Sequence, residues 1–499
     1  MRRYPDVAAA RLDPFKHWLE YGLFEGRPFN PLLTVLSGEA ARMNGCDAQF
    51  WNKLTFLGVP VAYRLKNSMD NVVAQIMGQT PFEPTILAPG ALCIPSLREF
   101  DAPNLADRRN IDTGAIFSAV RERPDMVICT PFLCAGGAEK YAADIVDVFV
   151  KKWNKKVLVL VTEQSQESAS GWDRLAILDP LKEAQIIHCP DVFGPGYNSP
   201  VIFARFLNSI RPQTLIVNNS KLALDAVADY GRGLSTSMEI FCTFFSMGLN
   251  GLGVPNGTRY PQRCMPFSVA LTDNGRMATS LAKLWGPLAQ KGVATIPPRI
   301  ACSGEAIVEE QISALSGRFQ NSSRVKRWLW VSRIEALKGA ATLARLAGIR
   351  SKERFDLFGP VTGDLQQYGL DLPNISYRGI VDDVLTMELS QYDGFIFTSK
   401  CEGMPNVVLE MSQRCIPMVL SDVGGLRETF TDESVLFVAN EESDEQTALL
   451  FDNRLESLGA FDPPQVERLV RLARALAIEK HSPEAFTSSV EKVFALNHD

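Results

Sequence analysis

From residue 125 onward, short β-branched and apolar runs alternate with longer stretches patterned for helices. Residues 125–130, 156–161, 185–188, 214–217, 240–244 and 268–271 predict buried strands. An apolar run without polar alternation suits a parallel strand covered on both faces. The stretches between them, such as 138–153 and 221–230, have helical length and complete a βαβ rhythm. That rhythm stops at Ile296-Pro297-Pro298-Arg299, where two prolines fix φ and remove donors. A polar stretch at 317–323 follows, and the alternation restarts over 327–331, 354–358, 374–377, 394–398, 417–420 and 434–438. The pattern predicts an α/β fold of two Rossmann-like doubly wound domains facing a cleft. Ligands are expected beyond the carboxyl ends of the strands. The region before 110 is Pro-interrupted and carries helical stripes such as that of His17–Phe24, so a mostly helical extension is expected. Val466, Leu469, Val470, Ala473 and Ala477 recur at helical spacing and predict a helix packed on the second domain. The expected organisation is an extension at 1–110, a first domain at 111–300, a second at 301–480 and a C-terminal helix at 481–499.

Composition narrows the function. The chain has 499 residues, 46% of them hydrophobic, which is enough for several packed cores. Asp+Glu 57 against Lys+Arg 51 argues against nucleic acid as a partner. There is no apolar run long enough to span a membrane, and no apolar core follows Met1-Arg2-Arg3, so a soluble, cytoplasmic chain is expected. Ten cysteines without a Cys-x-x-Cys pair read as reduced, buried thiols. Four scattered histidines and the absence of any Asp-x-Asp give no metal ligands, and no cofactor is expected.

Candidate chemistry lies where predicted strands end. After 394–398 come Glu402-Gly403-Met404-Pro405-Asn406 and then a helix carrying Glu410. Pro405 suits that helix's first turn. A helix N-terminus offers free N–H groups to a phosphate, and carboxylates accept hydrogen bonds from a vicinal diol. After 327–331, Arg333 and Lys338 could neutralise a diphosphate. After 125–130, Gly136-Gly137 would let backbone approach a ligand closely. Ser421-Asp422-Val423-Gly424-Gly425-Leu426-Arg427-Glu428 repeats that device at a later strand. Taken alone, each segment also fits an ordinary structural role: a cap, a solvated charge pair, a turn.

In order, Gly136-Gly137-Ala138-Glu139, Arg333 with Lys338-Gly339, Ile375 to Gly379, the Glu-x7-Glu of Glu402 and Glu410, and Asp422 to Gly425 resemble the retaining, nucleotide-sugar-dependent glycosyltransferases of family 4, which have the GT-B fold. The likeness is close over about 325–440 and loose over 125–300. It implies an acceptor-side first domain and a nucleotide-sugar-side second domain. Arg333 and Lys338 would hold the diphosphate, and Glu402 with the backbone of Gly403, Met404, Pro405 and Asn406 the donor sugar and its phosphate. Glu410 would take the ribose hydroxyls, Gly379 and Ile380 would lie near the base, and the Gly136-Gly137 loop would close over the donor.

The pattern departs from the family at one point. Many members carry a histidine after the fourth strand, whereas here Asn218-Asn219-Ser220 follows Val217. An amide can hydrogen-bond an acceptor hydroxyl but cannot take its proton. Residues 4–31 also look like a short module found beside glycosyltransferase domains in bacterial surface-polysaccharide proteins, beginning abruptly at Tyr4 as in a piece of a longer chain.

The resemblance implies sugar transfer from a nucleoside-diphosphate-sugar to a saccharide or lipid-linked saccharide, in the cytoplasm, with room for peripheral contact at the membrane's inner face. The alternative is a catalytically inactive sugar-nucleotide-binding or scaffold subunit of a polysaccharide assembly, which Asn218 and Asn219 favour. Glycoside hydrolysis by Glu402 and Glu410 would leave the cations and both glycine loops unused.

Overall fold

The computed structural model describes residues 118–194, 198–246, 264–286, 289–321, 323–381 and 383–495, together with three short strands before them. Those strands, Leu33–Val35, Leu54–Phe56 and Val59–Pro60, pair antiparallel. The helical reading of the rest of the extension, with the His17–Phe24 stripe, lies outside the described residues.

By its contacts the chain divides into two compact units. One comprises 1–123, 190–213 and 225–239, and includes helix α2 (Pro200–Ile210), where Phe203 and Phe206 gather around Phe193. The other comprises 124–189, 214–224 and 240–499.

Seven strands form the first large sheet: β1 (Met126–Thr130), β2 (Val157–Val161), β3 (Gln185–His188), β4 (Thr214–Val217), β5 (Glu239–Thr243), β6 (Val269–Thr272) and β7 (Val293–Thr295). Their order is β7-β6-β5-β4-β1-β2-β3. Six more form the second: β8 (Arg327–Val331), β9 (Arg354–Phe358), β10 (Ile375–Tyr377), β11 (Gly394–Phe397), β12 (Met418–Ser421) and β13 (Leu436–Val438), ordered β10-β9-β8-β11-β12-β13. The register is parallel, with Met126 opposite both Val157 and Thr214, and Trp328 opposite both Phe355 and Gly394. Each sheet therefore runs third, second, first, fourth from its first strand, the doubly wound order. β7 was not among the strands expected from the sequence.

The apolar runs are buried on both faces, as parallel strands require. Trp328 and Trp330 face α6 (Ala340–Ile349) and α9 (Asp444–Gly459). Leu329 and Val331 face α7 (Asn406–Gln413) and α10 (Pro463–His481). The expected packing of the 466–477 helix on the second domain holds: Val466 and Val470 pack with Val308, Ile312 and Leu315 of α5 (Glu305–Gln320). The last helix, α11 (Pro483–Ala495), returns to the first sheet, where Phe486, Val490 and Phe494 join the core of β1 and α1 (Gly137–Asp147). Among the described residues no helix is long and apolar enough to cross a membrane.

Candidate functional site

The crossover direction of a doubly wound sheet reverses between its first and fourth strands, opening a crevice at their carboxyl ends. In the second sheet these strands are β8 and β11, which are direct neighbours. The segment after β8 carries Arg333 and Lys338, and the segment after β11 carries Glu402. The structure joins them: Lys338 Nζ donates to Glu402 Oε1 at 2.5 Å, with both side chains largely shielded from solvent. Lys338 closes the short turn Ala336–Lys338, and Gly339 follows at φ +70. A Cβ there would lie 2.0 Å from the Thr398 carbonyl, so only glycine lets the two strand-end segments approach this closely. Arg333 is more exposed and pairs with Glu335 at 3.2 Å.

At the carboxyl end of β10, Gly379 has φ +92 and Ile380 is 66% exposed, an apolar side chain open to a ligand at the same sheet edge. Pro405 is extended and precedes the first helical residue of α7, Asn406, rather than lying inside the first turn. The Asn406 side chain faces the first domain: its Nδ2 lies 3.2 Å from where a Cβ on Gly137 would be, and its buried Oδ1 has no hydrogen-bond partner. Glu410, one turn further, has its carboxyl pushed up by burial, with Lys140 of α1 acting in the opposite direction.

In the first sheet the corresponding strands are β1 and β4. Gly136 and Gly137 open α1 after β1. Glu139 folds back over this helix start, where a Cβ on Gly136 would stand 2.1 Å from its Oε2. Burial raises the Glu139 pKa, opposed by its own backbone hydrogen bond and by the positive charge of Arg333 of the second domain. After β4, Asn218 is fully buried. It donates to the Ala138 carbonyl at 3.0 Å and accepts from the Thr243 hydroxyl at 3.1 Å, tying β4 to the start of α1. Asn219 takes a left-handed φ of +55.

Two residues not singled out by the sequence reading, Asp273 and Asn274, complete the seam together with Glu428, the end of the 421–428 candidate segment. Asp273 and Asn274 follow β6, and Glu428 lies in α8 (Leu426–Thr429). Asp273 Oδ2 accepts from Met404 N at 2.8 Å, across the domains, and its Oδ1 accepts from Asn274 Nδ2 at 2.6 Å. Glu428 receives Gly275 N at 2.8 Å and Arg276 N at 2.5 Å, at the start of α4 (Gly275–Trp285). Burial pushes the Asp273 pKa up to about 7, with Glu402 adding to the shift. An Asp-Asn pair at a strand's carboxyl end was the available signal. The expectation of buried thiols holds for Cys129, Cys189, Cys242, Cys264 and Cys415 but not for Cys401, which is half-buried, or for Cys134 and Cys302, which are exposed; Cys46 and Cys93 lie outside the described residues.

Residues 325–451 match the family described as Glycosyl transferases group 1. No curated protein matches the chain. Among solved structures, Anabaena HepE in complex with UDP and glucose shares 14% identity at a TM-score of 0.53, covering 74% of this chain and 99% of that one. The lipopolysaccharide outer core galactosyltransferase WaaB shares 13% at 0.51, covering 74% and 99%. Sucrose-phosphate synthase from Thermosynechococcus elongatus shares 14% at 0.55, covering 75% and 99%. At these identities the likeness establishes the fold: two Rossmann-like domains arranged as in GT-B glycosyltransferases.

Proposed function

We propose that the chain is a retaining glycosyltransferase that moves a sugar from a nucleoside-diphosphate-sugar to a saccharide or lipid-linked acceptor in surface polysaccharide synthesis. The observation that carries this reading is the Lys338–Glu402 contact at the switch point of the second sheet. It places a cation and a hydroxyl acceptor side by side at the mouth of a helix. The family match over 325–451 and the UDP and glucose bound to HepE support it. WaaB, a galactosyltransferase of lipopolysaccharide, supports the polysaccharide role.

The reaction must neutralise a departing diphosphate and hold an oxocarbenium-like sugar. With donor bound, Lys338 turns its ammonium from Glu402 to the phosphates and Arg333 adds a second positive charge from its exposed position. Glu402, released from Lys338, accepts hydrogen bonds from sugar hydroxyls. The N-terminus of α7, with the Gly403 to Asn406 backbone, faces the phosphate. Glu410 takes the ribose hydroxyls, and Gly379 with Ile380 flanks the base. These groups stabilise the leaving diphosphate without a metal ion, and its oxygen takes the acceptor's proton. Asn218 is committed to protein partners and has no basic nitrogen, so the acceptor proton needs that other route.

A second reading, a sugar-nucleotide-binding subunit without turnover, is favoured by the same asparagine. A panel of nucleotide sugars separates the two. Donor consumption with acceptors supplied is expected from the wild type. Glu402→Ala should abolish it with the fold intact, and Lys338→Ala should weaken nucleotide binding in a thermal-shift titration. Nucleotide binding without consumption of any donor gives the binding subunit; wild-type behaviour of both variants removes the site.

A further inference from the structure

The turn at the end of β6 reaches into the second domain and is gripped on two sides. We infer that Asp273 is a positioning residue for the Glu402 loop: it holds the backbone of 402–404 from the opposite domain, so the loop takes its sugar-binding shape only while the domains are engaged. The inference rests on the function proposed above and adds to it a residue outside the family pattern.

The links are direct. Met404 N–H points at Asp273 Oδ2, two residues from Glu402. Gly403 leaves no gap in between, since a Cβ on it would stand 2.3 Å from the Phe245 carbonyl and 2.4 Å from Asp273 Oδ2. Asp273 is itself aimed: Asn274 Nδ2 donates to its other oxygen, while Asn274 Oδ1 caps α4 by accepting from Met277 N at 2.7 Å. On its far side the Glu402 loop is tied to the glycine turn after β12, where Gly425 N donates to the Gly403 carbonyl at 2.9 Å. The helix after that turn supplies Glu428, which closes on Gly275 and Arg276. The loop is thus held between a turn of its own domain and a carboxylate of the other. A displacement of the order of 1 Å at such a point can cost about 10²-fold in rate.

Hydrogen exchange read by mass spectrometry on the nucleotide-free chain tests this, alongside turnover. In Asp273→Ala the peptide containing Met404 should exchange roughly tenfold faster or more, while the β8 and β11 cores stay protected. The kcat for donor consumption should fall on the order of 10²-fold. Asp273→Asn keeps an acceptor oxygen for Met404 N–H and should recover part of both losses. Gly403→Ala, which forces a methyl group into the seam without touching either core, should reproduce them if Asp273→Ala folds poorly. Unchanged exchange at Met404 in Asp273→Ala overturns the inference, as does wild-type kcat in a variant whose loop has lost protection. A wild type that consumes no donor defeats the proposed function alone, because the exchange measurement still decides whether Asp273 holds the loop.

Discussion

His481 is 1% exposed at the junction where α10 passes into α11. Its Nδ1 lies 2.8 Å from the Pro298 carbonyl and must donate, which leaves Nε2 to accept from the Thr429 hydroxyl at 2.8 Å. The Nδ1–H bond survives protonation but acceptance at Nε2 needs the neutral ring, and burial, working against the Pro298 contact, lowers the pKa to about 4. Below the ordinary value near 6.5 the unfolded chain takes up a proton that the folded chain refuses. Stability from this group is therefore complete above pH 6.5 and is lost as pH falls toward 4, with a magnitude on the order of 3 kcal/mol. Asp273 has the opposite sign. Its folded pKa of about 7 stands above the unfolded 3.8, so its contribution is present at low pH and fades as pH rises through 7. The slopes oppose each other between about pH 4 and 7. Chemical denaturation across that range should show a stability difference between wild type and His481→Gln that shrinks on acidification, and one between wild type and Asp273→Asn that changes in the reverse direction. Parallel curves would mean that neither burial governs titration.

Glycines at the strand ends decide how closely the loops of the second sheet can pack. Gly339 at φ +70 and Gly359 at φ +131 each have a main-chain carbonyl where a Cβ would go, that of Thr398 at 2.0 Å and that of Ser332 at 1.9 Å. Gly339→Ala should destabilise by about 1–3 kcal/mol from backbone strain alone, and more from the clash. It should also weaken nucleotide binding by shifting Lys338; denaturant midpoints and a nucleotide titration check the two effects. These elements were largely legible, because apolar runs and strand-end glycines are local signals. The strand ending at Val217 and the helix beginning at Asn406 fall where the pattern places them. Helix α5 was missed: Val308, Ile312 and Leu315 form a narrow stripe among charged residues, so 317–323 read as a polar break although α5 runs to Gln320. β7 was missed because three half-buried residues carry too little apolar signal.

Across the molecule, α11 leaves the second domain and completes the first. Phe494 packs edge-on against Phe149 at 5.1 Å and tilted against Phe241 at 4.6 Å, and Phe486 and Val490 lie in the same core. A chain ending at His481 would uncover these contacts, each large apolar side chain being worth roughly 1.5–3 kcal/mol when fully buried. Calorimetry on that truncation should show the first domain melting well below the second; coincident melting at the wild-type temperature would contradict this packing role.

The sequence by itself determined every strand of the two large sheets except β7, their two successive sets and the order of the glycine, cation and carboxylate segments, since periodicity and turn chemistry act over a few residues. It also carried the departure at Asn218, but not the reason that this amide is occupied, because Ala138 and Thr243 are neighbours only in space. Tertiary structure alone decided that Asp273 meets Met404 across 131 positions and that Glu428 closes on the start of α4. It alone raised one carboxyl to about 7 and lowered one imidazole to about 4. Such pairings depend on which surfaces two folded sheets bring together, and the cost of burying a charge exists only once neighbouring segments have excluded water.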